Sequence, residues 1–124
     1  MCCLFGFIDY NHNLSGKQKN RLLRSLASAA EERGTDAAGI TYHAGGKLHI
    51  MKKAKPAHVL RFRVPAETSV VMGHTRYATQ GNAKKAYNAH PFQGQIGNKK
   101  FALAHNGVLL NDRLLQRSKN LPKT

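Results

Sequence analysis

The chain begins with an apolar run, Met1-Cys2-Cys3-Leu4-Phe5-Gly6-Phe7-Ile8, closed by Asp9 and Asn11. A short run of this kind, bounded by turn formers, predicts a buried strand over residues 2–8. The N-terminus is thereby committed to a sheet rather than to a tail. The same run puts Cys2 directly behind Met1. Removal of Met1 would leave an α-amino group, a base titrating at about 7.7–8.0, on the residue that carries a thiol titrating at about 8.5. One residue could then supply both nucleophile and base. The opposing reading is a small packed hydrophobe, since free cysteine is among the most buried residue types. Position alone slightly favours packing.

Along the rest of the chain, strand and helix signals alternate. Ser15 caps a predicted helix running to about Arg33, with Leu22, Leu23, Leu26, Ala27 and Ala30 as its apolar stripe and Gly34 as its stop. Residues 37–43 and 47–52 read as strands joined through Ala44-Gly45-Gly46, a hairpin. Pro56 opens a short helix reaching Phe62, and Pro65 breaks the chain by biasing Val64 toward an extended conformation. Residues 69–75 read as a strand ending at Thr75-Arg76, and 77–92 as a long polar loop of the kind that carries function. A further strand is expected over 101–105, followed by Asn106-Gly107. Asn111 or Asp112 caps a last helix toward Ser118. Strands mixed with helices, with at least one hairpin, predict an α+β or layered α/β fold rather than a doubly wound parallel sheet.

Composition narrows the class. At 124 residues the chain is one domain or part of one, and with 41% hydrophobic residues it reads as globular. No apolar stretch is as long as a membrane helix, and no basic segment precedes the N-terminal run as in a signal peptide, so a cytoplasmic location is expected. The only cysteines, Cys2 and Cys3, are neighbours and too close for an ordinary disulfide. No Cys or His spacing resembles a zinc site, and no metal is expected. The net charge of +14 raises nucleic acid as a partner. The bases are scattered, however, from Lys17, Lys19, Arg21 and Arg24 to Arg113 and Arg117, and several fall on the polar side of the predicted helix. A solvated face is the ordinary explanation for such residues.

Four segments carry chemistry together: Cys2-Cys3-Leu4-Phe5-Gly6, Arg33-Gly34-Thr35-Asp36-Ala37-Ala38-Gly39-Ile40, Gly73-His74-Thr75-Arg76-Tyr77-Ala78-Thr79-Gln80-Gly81 and His105-Asn106-Gly107, with Asn88-Ala89-His90-Pro91-Phe92 between the last two. In this order they resemble the glutaminase domain of class II glutamine amidotransferases, which are N-terminal-nucleophile (Ntn) hydrolases. The resemblance spans nearly the whole chain. It implies a layered αββα sandwich, here in part, with residues 1–124 as the N-terminal portion of an amidotransferase type-2 domain. It implies glutamine as substrate, no cofactor, and a synthase domain or subunit that uses the ammonia released.

The resemblance also assigns roles. Cys2 is the nucleophile, with its freed amine as base through a bridging water. The Asn106 side-chain amide and the Gly107 N–H form the oxyanion hole, although an Asn-Gly pair alone would be read as a plain turn. Arg76 grips the substrate α-carboxylate, a task suited to a bidentate guanidinium. Thr79 and Gln80 complete that carboxylate site, and Tyr77 stands where some relatives carry Trp. His74 and His90 are read as structural, and Asp36 and Gly39 as turn or packing residues beneath the site. The chain departs from the family pattern at two points. Cys3 replaces a near-constant Gly, and alternation should turn its side chain away from Cys2. The chain also ends before the acidic Glu-Thr-Asp-like motif that holds the substrate α-amino group, which points to a truncated domain or a stand-alone short relative. Two other readings stand beside a glutaminase: an incomplete Ntn-fold domain for binding or assembly, and a basic nucleic-acid-binding module, against which the scattered charge argues.

Overall fold

A computed structural model describes residues 1–79 and 82–121. The fold is mixed, with antiparallel sheets. Strands β1 (Cys3–Ile8), β2 (Ala37–Ala44), β3 (Lys47–Lys53) and β4 (Val70–Arg76) form a four-stranded antiparallel sheet in the order β1-β4-β2-β3. Strands β5 (Phe92–Ile96) and β6 (Lys99–Leu103) form a separate hairpin. The helices among the described residues are α1 (Gly16–Glu31), α2 (Ala57–Leu60) and α3 (Asp112–Ser118), with a 3-10 turn at Ala86–Asn88. No helix among the described residues is long and apolar enough to cross a membrane.

Local signals explain much of this. Ser15 and Gln18 form a reciprocal capping box at the start of α1, each side chain bonding the other's backbone N–H. Gly45 and Gly46 both have positive φ, which the two-residue turn between β2 and β3 requires. The register puts Cys3, Phe5 and Phe7 on one face with Val71, Ala38, Ile40 and Met51. Leu23 and Ala27 of α1, with Ala57, Phe62 and Val64, close the core over that face. Burying a side chain such as Leu23 or Phe62 contributes about 1.5–3 kcal/mol. Asn20 fastens α1 to the segment after α2 by exchanging hydrogen bonds with the Val64 backbone N–H and C=O.

Three expectations are corrected. Strand β1 is an edge strand and only alternately buried, with Leu4 and Ile8 exposed on the face away from α1. The run is apolar on both faces, but only one has a helix to cover it. The loop expected over 77–92 ends one residue early, because Phe92 opens an unexpected strand, β5, and its partner β6 starts at Lys99, two residues before the expected strand. The pairing Ile96↔Lys99 leaves Gly97-Asn98 as a two-residue turn, with Gly97 at φ 58°, and that turn sets the register.

The third correction is Lys19, expected on a solvated helix face but fully buried. Its ammonium donates to Ala66 O and Thr68 O at 2.8 Å each and to His12 Nδ1 at 3.2 Å, and it lies 3.6 Å from Asp9 Oδ2. Asp9 in turn accepts from the Asn13 and Leu14 backbone N–H groups. A buried charge persists only when paired and hydrogen-bonded, and this network does both while tying β1, α1 and the approach to β4 together.

Candidate active site

The sheet's second face carries the candidate site. One row crosses all four strands on that face: Leu4, His74, Gly39 and Lys52. The segment Ala89-His90-Pro91-Phe92 lies over it. Glycine is required at position 39, because a Cβ there would fall 2.2 Å from His90 O and 3.0 Å from Pro91 Cδ. The His74 and His90 rings stack with centroids 4.3 Å apart, and Phe92 tilts against His90 at 4.5 Å. Lys52 Nζ donates to Ala89 O at 2.7 Å and Pro91 O at 3.1 Å and sits over the Phe92 ring. Burial pushes the Lys52 amine below its ordinary value.

Burial also pushes both histidines down to about 4, outweighing for His74 a hydrogen bond to the His105 backbone that acts the other way, while neighbouring positive charge adds to the fall; both rings are neutral near pH 7. His90 Nδ1 accepts a hydrogen bond from His105 N at 2.9 Å. His74 Nε2 is buried without a partner among the described residues.

Strand β4 ends at Arg76, whose backbone is fixed by the turn after α1. Arg76 O accepts from Asp36 N at 3.0 Å, and Asp36 Oδ2 accepts from Ala78 N at 2.7 Å. Gly34 was expected as a helix stop, but α1 ends at Glu31 and Gly34 has no positive φ. Its role is close approach, since a Cβ there would lie 2.4 Å from Arg76 C and 2.7 Å from Tyr77 N. The Arg76 side chain is buried, and its Nη1 donates to Asn82 O at 3.4 Å.

The thiol lies beside this segment. Cys2 Sγ accepts from Tyr77 N at 3.4 Å and donates to Tyr77 O at 3.5 Å, while the Tyr77 side chain is exposed. Cys3 pairs with Thr75 on the face shared with Phe5 and Phe7, where the Thr75 hydroxyl donates to Ala30 O of α1.

A thiol at the N-terminal edge, held against the residue that follows a buried arginine, is an arrangement suited to attack on a substrate with a carboxylate tail. Comparison with known proteins agrees in sequence. The family model described as "Glutamine amidotransferases class-II" matches residues 1–122. The chain belongs to the class II glutamine amidotransferases.

Its relatives include proteins named "Glutamine--fructose-6-phosphate aminotransferase [isomerizing]". The one from Geobacillus kaustophilus is 39% identical over 119 residues, and the one from Bacillus cereus is 40% identical over 121 residues. Each match covers 94% of this chain and 18% of the relative's length. A Corynebacterium glutamicum protein of the same name is 40% identical over 85 residues, covering 65% of this chain and 13% of that protein. The chain thus spans under a fifth of the length of these curated relatives.

Of the residues expected at an amidotransferase site, the structure brings Cys2, Arg76 and Tyr77 together. Thr79 follows, exposed, in the same loop, and Gln80 lies outside the described residues. Asn106 and Gly107 are exposed beyond β6, and among the described residues no hydrogen bond joins either to Cys2. They connect to the row above through His105 and His90. No group of three or more His, Cys, Asp or Glu among the described residues could hold a metal ion. Lys52 was read only as one of many scattered bases. Its place opposite Gly39 depends on hairpin register, which the Gly45-Gly46 turn could have supplied.

Proposed function

We propose that this chain forms the N-terminal portion of a glutamine-hydrolysing domain that releases ammonia for an amidotransferase. The observation that carries the reading is the Cys2 thiol held at the Tyr77 backbone, next to the buried Arg76, in a chain of this family. Once Met1 is removed, the Cys2 amine takes the thiol proton through a water. Sulfur attacks the side-chain amide carbon of glutamine. The Asn106 side-chain N–H and the Gly107 backbone N–H stabilise the oxyanion. The amide nitrogen leaves as ammonia after taking up a proton. Water then hydrolyses the γ-glutamyl thioester to glutamate and returns the thiol. Arg76 binds the α-carboxylate, with Thr79 and Gln80 completing that site and Tyr77 beside it.

Met1 is 70% exposed, which supports its accessibility to a processing enzyme. Leu4 and Ile8, exposed on the face away from α1, support completion of the fold as a layered αββα sandwich. The ammonia passes to a synthase domain or subunit, and the relatives' names make a keto-sugar phosphate the first acceptor to try.

Intact-mass spectrometry of active protein should show loss of Met1. A glutamine-mimicking electrophile should label Cys2 and abolish glutamate release. Active protein that retains Met1 would sink the mechanism, and absence of glutaminase turnover would leave the domain a binding or assembly module.

A further inference from the structure

His90 is held on every side but one. His74 stacks on one face, and Phe92 leans on the ring at 4.5 Å. Gly39 leaves room beneath its carbonyl, and Lys52 grips the carbonyls of Ala89 and Pro91 on either side of it. The edge that remains presents Nδ1 to the His105 N–H at 2.9 Å. An N–H donor requires a lone pair there, so the ring is neutral with its proton on Nε2. The charged and titratable groups around the ring are His74 and Arg76 from β4, Lys52 from β3 and His105 itself, and all of them oppose a proton on His90. His105 immediately precedes Asn106, and Gly107 lies against the His105 ring.

Resting on the glutaminase reading, we propose that His90 is a positioning residue: its neutral Nδ1 anchors the His105 amide and so fixes the backbone from which Asn106 and Gly107 present their donors to the oxyanion. Lys52 acts one step further back, by fixing the peptide units on both sides of His90. The β4–β3 half of the sheet thereby sets the position of the turn that follows β6.

Two substitutions separate ring packing from hydrogen bonding. His90→Phe keeps the stacked ring and removes the acceptor. His90→Asn gives up the stack and can place Oδ1 near the position of Nδ1. In the full-length protein, H90F should lower kcat for glutamine hydrolysis about 10- to 100-fold, as a misplaced catalytic group does. KM for glutamine should stay nearly constant, because the oxyanion exists only in the transition state. H90N should recover most of the loss. Lys52→Met should give a smaller loss of the same kind, and it serves if H90F fails to fold.

Hydrogen exchange supplies a readout independent of turnover. The His105 amide should be protected in the wild type and in H90N and exchange rapidly in H90F. An unchanged kcat in both H90F and K52M, a loss confined to KM, or a protected His105 amide in H90F would overturn the proposal. Absence of glutamine hydrolysis by the wild type refutes the glutaminase reading instead, and exchange at His105 still decides whether the anchor exists.

Discussion

Mild acid should destabilise this protein through two buried, stacked histidines. His74 is only 1% exposed, and burial pushes it from 6.5 to about 4; His90, stacked on it, is pushed to about 4 in the same way. In both cases the folded-state value is depressed, so below about 6.5 the unfolded chain takes up protons that the native rings refuse. Stability is therefore fully present above about 6.5 and is lost as pH falls toward about 4. A fall from 6.5 to about 4 is worth about 3.4 kcal/mol per ring, at about 1.36 kcal/mol per pH unit. Between about pH 7 and about pH 5, each ring should account for about 2 kcal/mol. The stacked rings titrate as a pair, and together they put about 4 kcal/mol at stake, a large share of the roughly 5–15 kcal/mol that holds an ordinary domain together. Asp9 and Glu31 both titrate below their ordinary values, so their contribution is lost lower still, outside this window. The assay is urea unfolding at several pH values in the wild type and in His74→Gln, which removes one titrating ring. The variant's absolute stability is not the readout. Its dependence on pH should be about half as steep as the wild type's. A wild-type midpoint that does not move between about pH 7 and about pH 5, or an equally steep dependence in H74Q, refutes the reasoning.

Three further outcomes follow from the geometry. Gly34→Ala would press a Cβ to 2.4 Å from the Arg76 carbonyl carbon; it should cost about 1–3 kcal/mol of stability and raise KM for glutamine, and a wild-type KM would argue against Arg76 as the substrate clamp. Lys19→Met strands the Ala66 and Thr68 carbonyls, at a cost on the order of 1–3 kcal/mol for each, so the urea midpoint should fall clearly. Asn106→Ala should lower kcat about 10²- to 10³-fold with little change in KM, and an unchanged kcat would remove Asn106 from the oxyanion hole.

Wherever a few neighbouring residues decide the outcome, the sequence was sufficient. Ser15 and Gln18 start α1 because their side chains reach each other's backbone within one turn. Gly45 and Gly46 reverse the chain because both accept positive φ. The order of the motifs around Cys2, Arg76 and Asn106 was likewise legible, and that order alone marks the family.

Tertiary structure decided what depends on partners far along the chain. Lys19 looks like a surface base until Ala66 and Thr68 supply the carbonyls that bury it. Gly34 looks like a helix stop until Arg76 lies against it, and Gly39, expected as a turn or packing residue beneath the site, gains its partner only when His90 crosses above it. The N-terminal run predicts a strand, but only the sheet order makes β1 an edge with one bare face. Periodicity and turn chemistry are properties of adjacent residues and can be read in order. Burial, close approach and the His90–His105 bond are properties of segments brought together across many residues, and no local pattern encodes them.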